Sequence, residues 1–381
     1  MKKLVLICPD SFKESLSARQ AGDAIAAGFR EAPGDWLPEV YPMADGGEGT
    51  LDTVLESTGG EKIFIDTRDP LLRPISAPAG ILPDGRVLLE TAAVIGLPLL
   101  APEERDPART STIGVGILLR ELIKRGHRDF LLTLGGSSTS DGGAGILQAL
   151  GFSLLDSDGL SLPPGGAALE RLGCILPPEG GPPLGQVRFT LLCDVENPLC
   201  GEQGAAKIYG PQKGAGPELA EQLDRALCRY GSLVEKVSGR SVLPEPGLGA
   251  AGGLGVPLHA FASARRESGA RFVMELTGLT PRIPEAHLVV TGEGRLDGQS
   301  ASGKVAGTVA AECRRHGVPC VALCGSLRAD HTELYAHGLT AAFACIDRPA
   351  PLEELRPRTA ENLRSLARNA ARLWDSKIKG G

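Results

Sequence analysis

Short apolar runs alternate along the chain with stretches in which apolar positions recur every three or four residues. "KKLVLICPD" reads as a strand, and in the following "SARQAGDAIAAGFREA" residues Ala18, Ala21, Ile25, Ala26 and Phe29 fall at helical spacing. The same pairing recurs in "FLLTLGG" with "AGILQALG". It recurs again in "AHLVVTGEG" with "SGKVAGTVAAECRRHG", after which "PCVALCGS" returns to strand character. This βα alternation predicts mainly parallel sheets covered by helices. Continuous apolar runs are what strands buried on both faces carry.

The pattern breaks in three places. Between Glu61 and Glu90, strand-like pieces are interrupted by Pro and Gly, and "PDG" marks a turn, so hairpin structure is expected there, at the crossing from one domain to the next. "LPPGGAALERLGCILPPEGGPPLG" is rich in Pro and Gly and reads as an irregular surface connection. The C-terminal "PLEELRPRTAENLRSLARNAARLWDSKI" reads as one long amphipathic helix. One internal echo stands out, "DGGEGTLD" (Asp45–Asp52) against "TGEGRLD" (Thr291–Asp297). Gly-rich turns resemble each other by chance, but two such loops also suit one site built from the two ends of the chain.

Composition narrows the function classes. The 381 residues suggest about two or three domains. The net charge of −6, scattered basic residues and an aromatic content of 4% argue against nucleic-acid binding. No stretch has the length of a membrane span, and the apolar run after Lys2 and Lys3 is too short for a signal peptide, so a cytoplasmic location is expected. Nine cysteines without paired metal-type spacing, several of them in strand-like runs (Cys193, Cys320, Cys324), read as buried reduced thiols rather than disulfides. Composition leaves room for a homo-oligomer.

The chemistry gathers in loops at strand ends. "GGSSTSDGGAG" (Gly135–Gly145) joins a strand to a helix through small residues alone apart from one acid. Glycines let backbone N–H groups approach a ligand, and the following helix adds a partial positive charge, so Gly135, Gly136, Gly142 and the hydroxyls of Ser137 and Ser138 suit an anion such as phosphate. Asp141 is open to either a helix cap or a metal. "GLGAAGGLGVPL", with Gly252 and Gly253, either closes over a nucleotide or packs tightly. "LLCDVENPLCGEQGAAKIYGPQKGA" places Asp194, Glu196 and Asn197 past a strand end, where hard oxygen ligands suit Mg²⁺ beside phosphates. Lys207 and Lys213 offer charge to phosphate, although lysines more often only solubilise. "CPDSFKES" supplies Asp10, Ser11 and Lys13, with Ser17 as an ordinary helix cap. "PMADGGEGTLD" supplies Asp45 and Glu48, and "TGEGRLDGQSASGK" supplies Glu293, Arg295, Asp297 and Lys304. None of the six histidines lies in these loops. That disfavours His-based nucleophilic catalysis and favours phosphoryl transfer, which rests on positioning and charge.

Taken in order, "PDSFKESLSA", "MADGGEGTLD", "LGGSSTSDGGAGILQALG", "CDVENPLCGEQGAAKIYGPQKGA", "GAAGGLGV" and "TGEGRLDGQSASGK" resemble the bacterial type 1 glycerate kinases over essentially the whole chain. The resemblance implies an α/β protein of two unlike domains with mainly parallel sheets. One would be a discontinuous Rossmann-like domain from residues 1–84 and 286–381. The other would be an inserted α/β domain from residues 85–285, with the site in the cleft between them. It implies ATP and Mg²⁺ and transfer of the γ-phosphoryl group to a hydroxyl of D-glycerate. The family is associated with 2-phosphoglycerate; the residues themselves leave the 2- and 3-positions undistinguished.

On that reading Asp45, Asp297 and Lys13 are catalytic, and Asp45 or Asp297 orients the attacking hydroxyl. Asp10, Ser11, Glu48, Glu293 and Arg295 contact substrate, with Lys13 or Arg295 pairing its carboxylate. Gly135, Gly136, Ser137, Ser138, Asp141, Gly142, Gly252 and Gly253 hold nucleotide phosphates, and Asp194 with Asn197 places the metal. Three rivals stand beside it: a kinase of another small hydroxy acid, a non-catalytic effector-binding protein, and a nicotinamide-dependent dehydrogenase. The last is disfavoured because no glycine fingerprint follows the first strand.

Overall fold

A computed structural model describes residues 2–180, 184–301 and 303–378. The chain divides into two compact units: residues 1–45, 52–58 and 268–381 in the first, 46–51 and 59–267 in the second. Both are α/β, with sheets that are mainly parallel.

The first unit is built on a five-stranded, wholly parallel sheet. Its strands run in the order Ala341–Ala344, Cys320–Cys324, Leu288–Gly292, Lys3–Pro9, Trp36–Val40. Lys3–Pro9 is thus an interior strand beside the edge strand Trp36–Val40, with Val5 beside Leu288 and Ile7 beside Val40. Its alternate side chains Val5 and Ile7 join Ile25, Phe29, Leu288, Val290, Leu323 and Leu363 in one apolar core. Each such side chain, fully buried, contributes about 1.5–3 kcal/mol. The helix Ala18–Glu31 begins as its sequence dictates. The Gln20 N–H donates to Ser17 Oγ (3.2 Å), and the Ser17 N–H donates to Gln20 Oε1 (2.9 Å). This capping box satisfies two donors that the first turn would leave orphaned.

The C-terminal segment is not one helix. A short helix Leu352–Leu355 and a 3₁₀ turn Arg356–Arg358 precede the long helix Thr359–Ile378. Pro357 has no N–H to donate and its ring crowds the preceding turn, so the helical pattern is interrupted there.

The second unit carries a six-stranded sheet in the order Arg265–Glu267, Arg188–Leu192, Asp129–Thr133, Val87–Glu90, Pro74–Ile81, Glu61–Arg68. The last two strands form the expected hairpin, paired antiparallel from Glu61 with Ile81 to Arg68 with Pro74. Pro74–Ile81 is antiparallel to Val87–Glu90, and the remaining pairs are parallel. Phe130, Leu132, Phe189 and Leu191 pack with Leu118, Leu119 and Ile146 to form its main core.

Two expectations change here. The Pro- and Gly-rich stretch from Leu162 is more than a surface connection: Leu162, Leu169, Leu172 and Ile175 are buried in a second core with Leu223, Leu227 and Tyr230. Its Gly181, Pro182 and Pro183 lie outside the described residues. The cysteines are not all thiols either. Cys200 and Cys228, 28 residues apart in sequence, form a disulfide with their Cα atoms 5.6 Å apart. Packing of the helix Ala205–Tyr209 on the long helix Pro217–Ser238 brings them together, a long-range contact that spacing alone does not reveal. The other seven cysteines are free.

Candidate active site

The carboxyl ends of all five strands of the parallel sheet feed one cavity of about 520 Å³ in the first unit. Asp10 follows Lys3–Pro9 and Glu293 follows Leu288–Gly292, and the Asp10 N–H donates to Gly292 O (2.8 Å), holding the two strand ends together. The chain continues from the first strand to Trp36–Val40 on one side, whereas Leu288–Gly292 lies on the other. That is a topological switch point, where open α/β sheets bind ligands. Asp45, Gly325 and Cys345 arrive from the other three strand ends. Lys13, Arg295, Asp297 and Lys304 complete the charged lining.

The acids perturb one another. Burial, then the charges of Asp45 and Glu293, push the Asp10 carboxyl up to about 8, although Ser11 N–H donates to its Oδ1 (2.6 Å) and Lys13 opposes the rise. Burial also raises Glu293, against the Ser300 hydroxyl and Lys304. Burial and mutual repulsion thus oppose the ionisation of all these acids together. Asp297 sits between two cations, with Arg295 Nε 3.5 Å from Oδ2 and Lys304 Nζ 3.9 Å from Oδ1. Of the residues proposed from sequence as catalytic or substrate-contacting, Asp10, Ser11, Lys13, Asp45, Glu293, Arg295 and Asp297 all line this cavity. Of the two echoing loops, the first brings only Asp45 to this cavity, whereas the second brings Glu293, Gly294, Arg295 and Asp297. Glu48 belongs to the second unit and is exposed there.

The glycine-rich loops are arranged differently. Gly135 and Gly136 reach the surface of the second unit, while Ser137, Ser138, Asp141, Gly142, Gly252 and Gly253 are buried. The Gly142 N–H donates to Gly252 O (2.9 Å), so the two glycine-rich stretches meet inside this unit. Gly252 has φ +66°, and a Cβ there would lie 2.0 Å from Thr139 O. A Cβ on Gly145 would lie 2.4 Å from Ile113 N. Glycine is demanded by backbone proximity at both positions. Asp141 is fully buried and acts as a buttress. Its Oδ2 accepts from Thr112 N–H (2.8 Å), Thr112 Oγ1 (2.9 Å) and Gly145 N–H (3.3 Å), and its Oδ1 from Gly143 N–H (3.1 Å).

The segment after Arg188–Leu192 is likewise bonded internally. The Asn197 amide donates to Gln203 O (2.9 Å), and its Oδ1 accepts from the Tyr209 hydroxyl (2.6 Å). Asp194 lies just past the strand end. Lys207 is engaged by Glu202 and Glu221, each at 2.8 Å. Lys213 is 2% exposed, and its Nζ donates to Thr139 O (2.6 Å) and Ser137 Oγ (3.2 Å) beneath the glycine-rich loop. Burial pushes Lys213 down to about 7.

Sequence reasoning missed Glu90. Its carboxylate, 8% exposed, accepts from the N–H groups of Gly49 (3.1 Å) and Leu51 (3.0 Å), fixing the loop after Asp45 at a helix N-terminus. A Glu closing an apolar strand, "VLLE", was the available signal.

Acids and cations converging at the switch point of a parallel sheet define an enzyme that binds a small charged substrate. The comparisons with known proteins say which class. A model of the glycerate kinase family matches residues 5–375. Glycerate kinase from Haemophilus influenzae is 40% identical over 374 residues, covering 98% of this chain and 99% of that one. Glycerate 2-kinase from Escherichia coli K12 is 38% identical over 368 residues, covering 96% and 97%. A Salmonella typhimurium LT2 crystal structure assigned to glycerate kinase 2 superposes with a TM-score of 0.85 at 39% identity, covering all of both chains. The chain belongs to the glycerate kinase family and is a kinase. Among the described residues, no helix is long and apolar enough to cross a membrane.

Proposed function

We propose that this kinase transfers the γ-phosphoryl group of ATP to the 2-hydroxyl of D-glycerate in the cavity of the first unit. The observation that carries the reading is the convergence of Asp10, Lys13, Asp45, Glu293, Arg295, Asp297 and Lys304 on one space at the carboxyl ends of the sheet. Membership of the family and the 2-kinase relative support the substrate and the position.

Lys13 and Arg295, both exposed to the cavity, pair with the glycerate carboxylate. Asp45 orients the 2-hydroxyl and takes its proton as the oxygen attacks phosphorus. Asp297 is the weaker candidate because Arg295 and Lys304 already draw on its carboxylate. It holds Lys304 toward the transferring phosphoryl group instead. A positioned base typically contributes about 10²–10⁴-fold.

Mg²⁺ is the expected companion of ATP. Among the described residues, no group of three or more His, Cys, Asp or Glu is placed to hold a metal ion alone. Mg²⁺ is usually held by one or two carboxylates together with phosphate oxygens and water. Burial and then the charges of Asp45 and Glu293 raise Asp10, and a cation would relieve the repulsion, so Asp10 and Glu293 are proposed to hold it. Asp194 stays a secondary candidate, since Asn197 is committed to Tyr209 and Gln203. When bound, Mg²⁺ neutralises phosphate charge. Gly136, exposed on the second unit, is proposed as backbone that can meet an anion there, with the buried remainder of the loop holding its shape. A cytoplasmic location and a homo-oligomer remain part of this reading.

The test is a coupled assay for ADP release on adding D-glycerate to enzyme, ATP and Mg²⁺, with ³¹P NMR of the product. A 2-phosphoglycerate resonance is expected. No D-glycerate-dependent ADP release would overturn the kinase assignment to this substrate, and a 3-phosphoglycerate resonance would overturn the position.

A further inference from the structure

The cavity of the first unit has a wall that a small hydroxy acid does not use. The segment after the edge strand Ala341–Ala344 contributes Ile346, Leu352 and Leu355 to the lining, with Thr359 and Asn362 beside them. Ile346 is 47% and Leu352 58% exposed, yet the segment is pinned. Arg358 pairs with Asp347 (3.0 Å), Arg348 with Glu354 (3.6 Å), and Arg356 with Glu14. Large aliphatic side chains are therefore held uncovered at the mouth of an acid-lined pocket.

We propose that this wall is the nucleobase subsite, with the purine ring of ATP lying against Ile346, Leu352 and Leu355 and its polar edge read by Asn362. The proposal rests on the reading of this cavity as an ATP-dependent kinase site. Three observations select a purine. A volume of about 520 Å³ is of the size that receives ligands much larger than a three-carbon acid. D-Glycerate carries oxygen on every carbon and gains nothing from aliphatic contacts, whereas the flat faces of a purine lose water favourably against them. The polar partners on the wall are of the kind a base edge needs. Asn362 is 7% exposed and its Nδ2 gives one hydrogen to Asp347 Oδ1 (3.4 Å), which orients the carboxamide; its second N–H and its Oδ1 can donate to and accept from an adenine edge. The cavity thus offers charged groups for phosphates and acid, and a neutral apolar wall for the one part of ATP that is neither.

The experiment is calorimetric titration of ADP, and separately of inorganic pyrophosphate, into the wild-type enzyme and the I346S/L352S variant, with KM for ATP and for D-glycerate measured on both. The expected result is about tenfold weaker ADP binding with pyrophosphate affinity within twofold. KM should rise for ATP rather than for D-glycerate, the pattern of lost ground-state binding. N362A should narrow the preference for ATP over GTP. Unchanged ADP affinity, equal weakening of ADP and pyrophosphate, or a rise in KM for D-glycerate alone would overturn the subsite. If the double variant lacks a cooperative melting transition, L352S, at the most exposed of the three positions, carries the same test. If the wild type releases no ADP with D-glycerate, the substrate assignment falls, while the titrations still decide where the base binds.

Discussion

The two units use polar residues in opposite ways. In the first, carboxylates converge on a cavity, and the Asp10 carboxyl is driven up to about 8 by burial and by its neighbours. In the second, the loop that looks richest in binding groups turns inward: Asp141 spends both oxygens on backbone and hydroxyl donors, and Lys213 lies buried against Ser137 and Thr139. A polar glycine loop can be a ligand cradle or a close-packed joint, and the two are alike in sequence. What separates them is where the polar groups face: a cavity in the first unit, the chain's own backbone and hydroxyl groups in the second. Half-buried acids that raise one another around a cavity mark a place prepared for something else to arrive.

The comparison is broken most easily at Asp45. D45N should lower kcat about 10²–10⁴-fold while leaving the melting temperature nearly unchanged. Unchanged turnover would remove Asp45 from the mechanism. The converse test is Gly252→Ala in the second unit. The left-handed backbone costs about 1–2 kcal/mol, and forcing a methyl against Thr139 O about 1–3 kcal/mol more. Urea denaturation should show a loss of that order, and a neutral result would mean the two loops are not in close contact.

Third in size is the Cys200–Cys228 bridge. Dithiothreitol, or C200S/C228S, should cost roughly 2–4 kcal/mol in the second unit, read as a lower melting temperature. Identical melting with and without reductant would show that the bridge does not form.

The smallest effects distinguish the units by sign. Lys213 is pushed down to about 7 from 10.5, so between those values the unfolded chain holds a proton the native state lacks. Stability then rises with pH across that window by at most about 1.4 kcal/mol per pH unit, and K213M should abolish the rise. Asp10 is raised from 3.8 to about 8, so there the native state holds the extra proton. Its contribution falls as pH climbs through that range, and D10N should flatten it. Paired chemical denaturation series over pH would show opposite slopes lost in the two variants.

Much of this was written locally in the chain. The apolar runs "LVLIC" and "VALC" gave parallel strands, Ser17 with Gln20 gave a helix start, and "PDG" gave the turn before Val87. The cavity was legible too, because residues that follow parallel strands gather at one edge of the sheet. What escaped depended on distant partners. Nothing near Lys213 shows that it is buried, nothing near Cys200 shows Cys228 beside it, and the stretch from Leu162 hides four core residues among prolines and glycines. Glu90 was passed over because an acid at a strand end looks the same whether it faces a ligand or a helix N-terminus. Pro357 is the exception: its interruption of the C-terminal helix was visible and was underweighted against the amphipathic pattern.

The first strand, Lys3–Pro9, lies between Trp36–Val40 and Leu288–Gly292 in its sheet, with Val5 beside Leu288. On the ribosome, at about 5–20 residues per second, it waits tens of seconds for that partner. Residues 59–267 emerge complete in the interval and can collapse on their own core. Trp36–Val40 can pair with it early on one side, so it is the edge meant for Leu288–Gly292 that stays open in that interval, and slower synthesis should prolong its exposure.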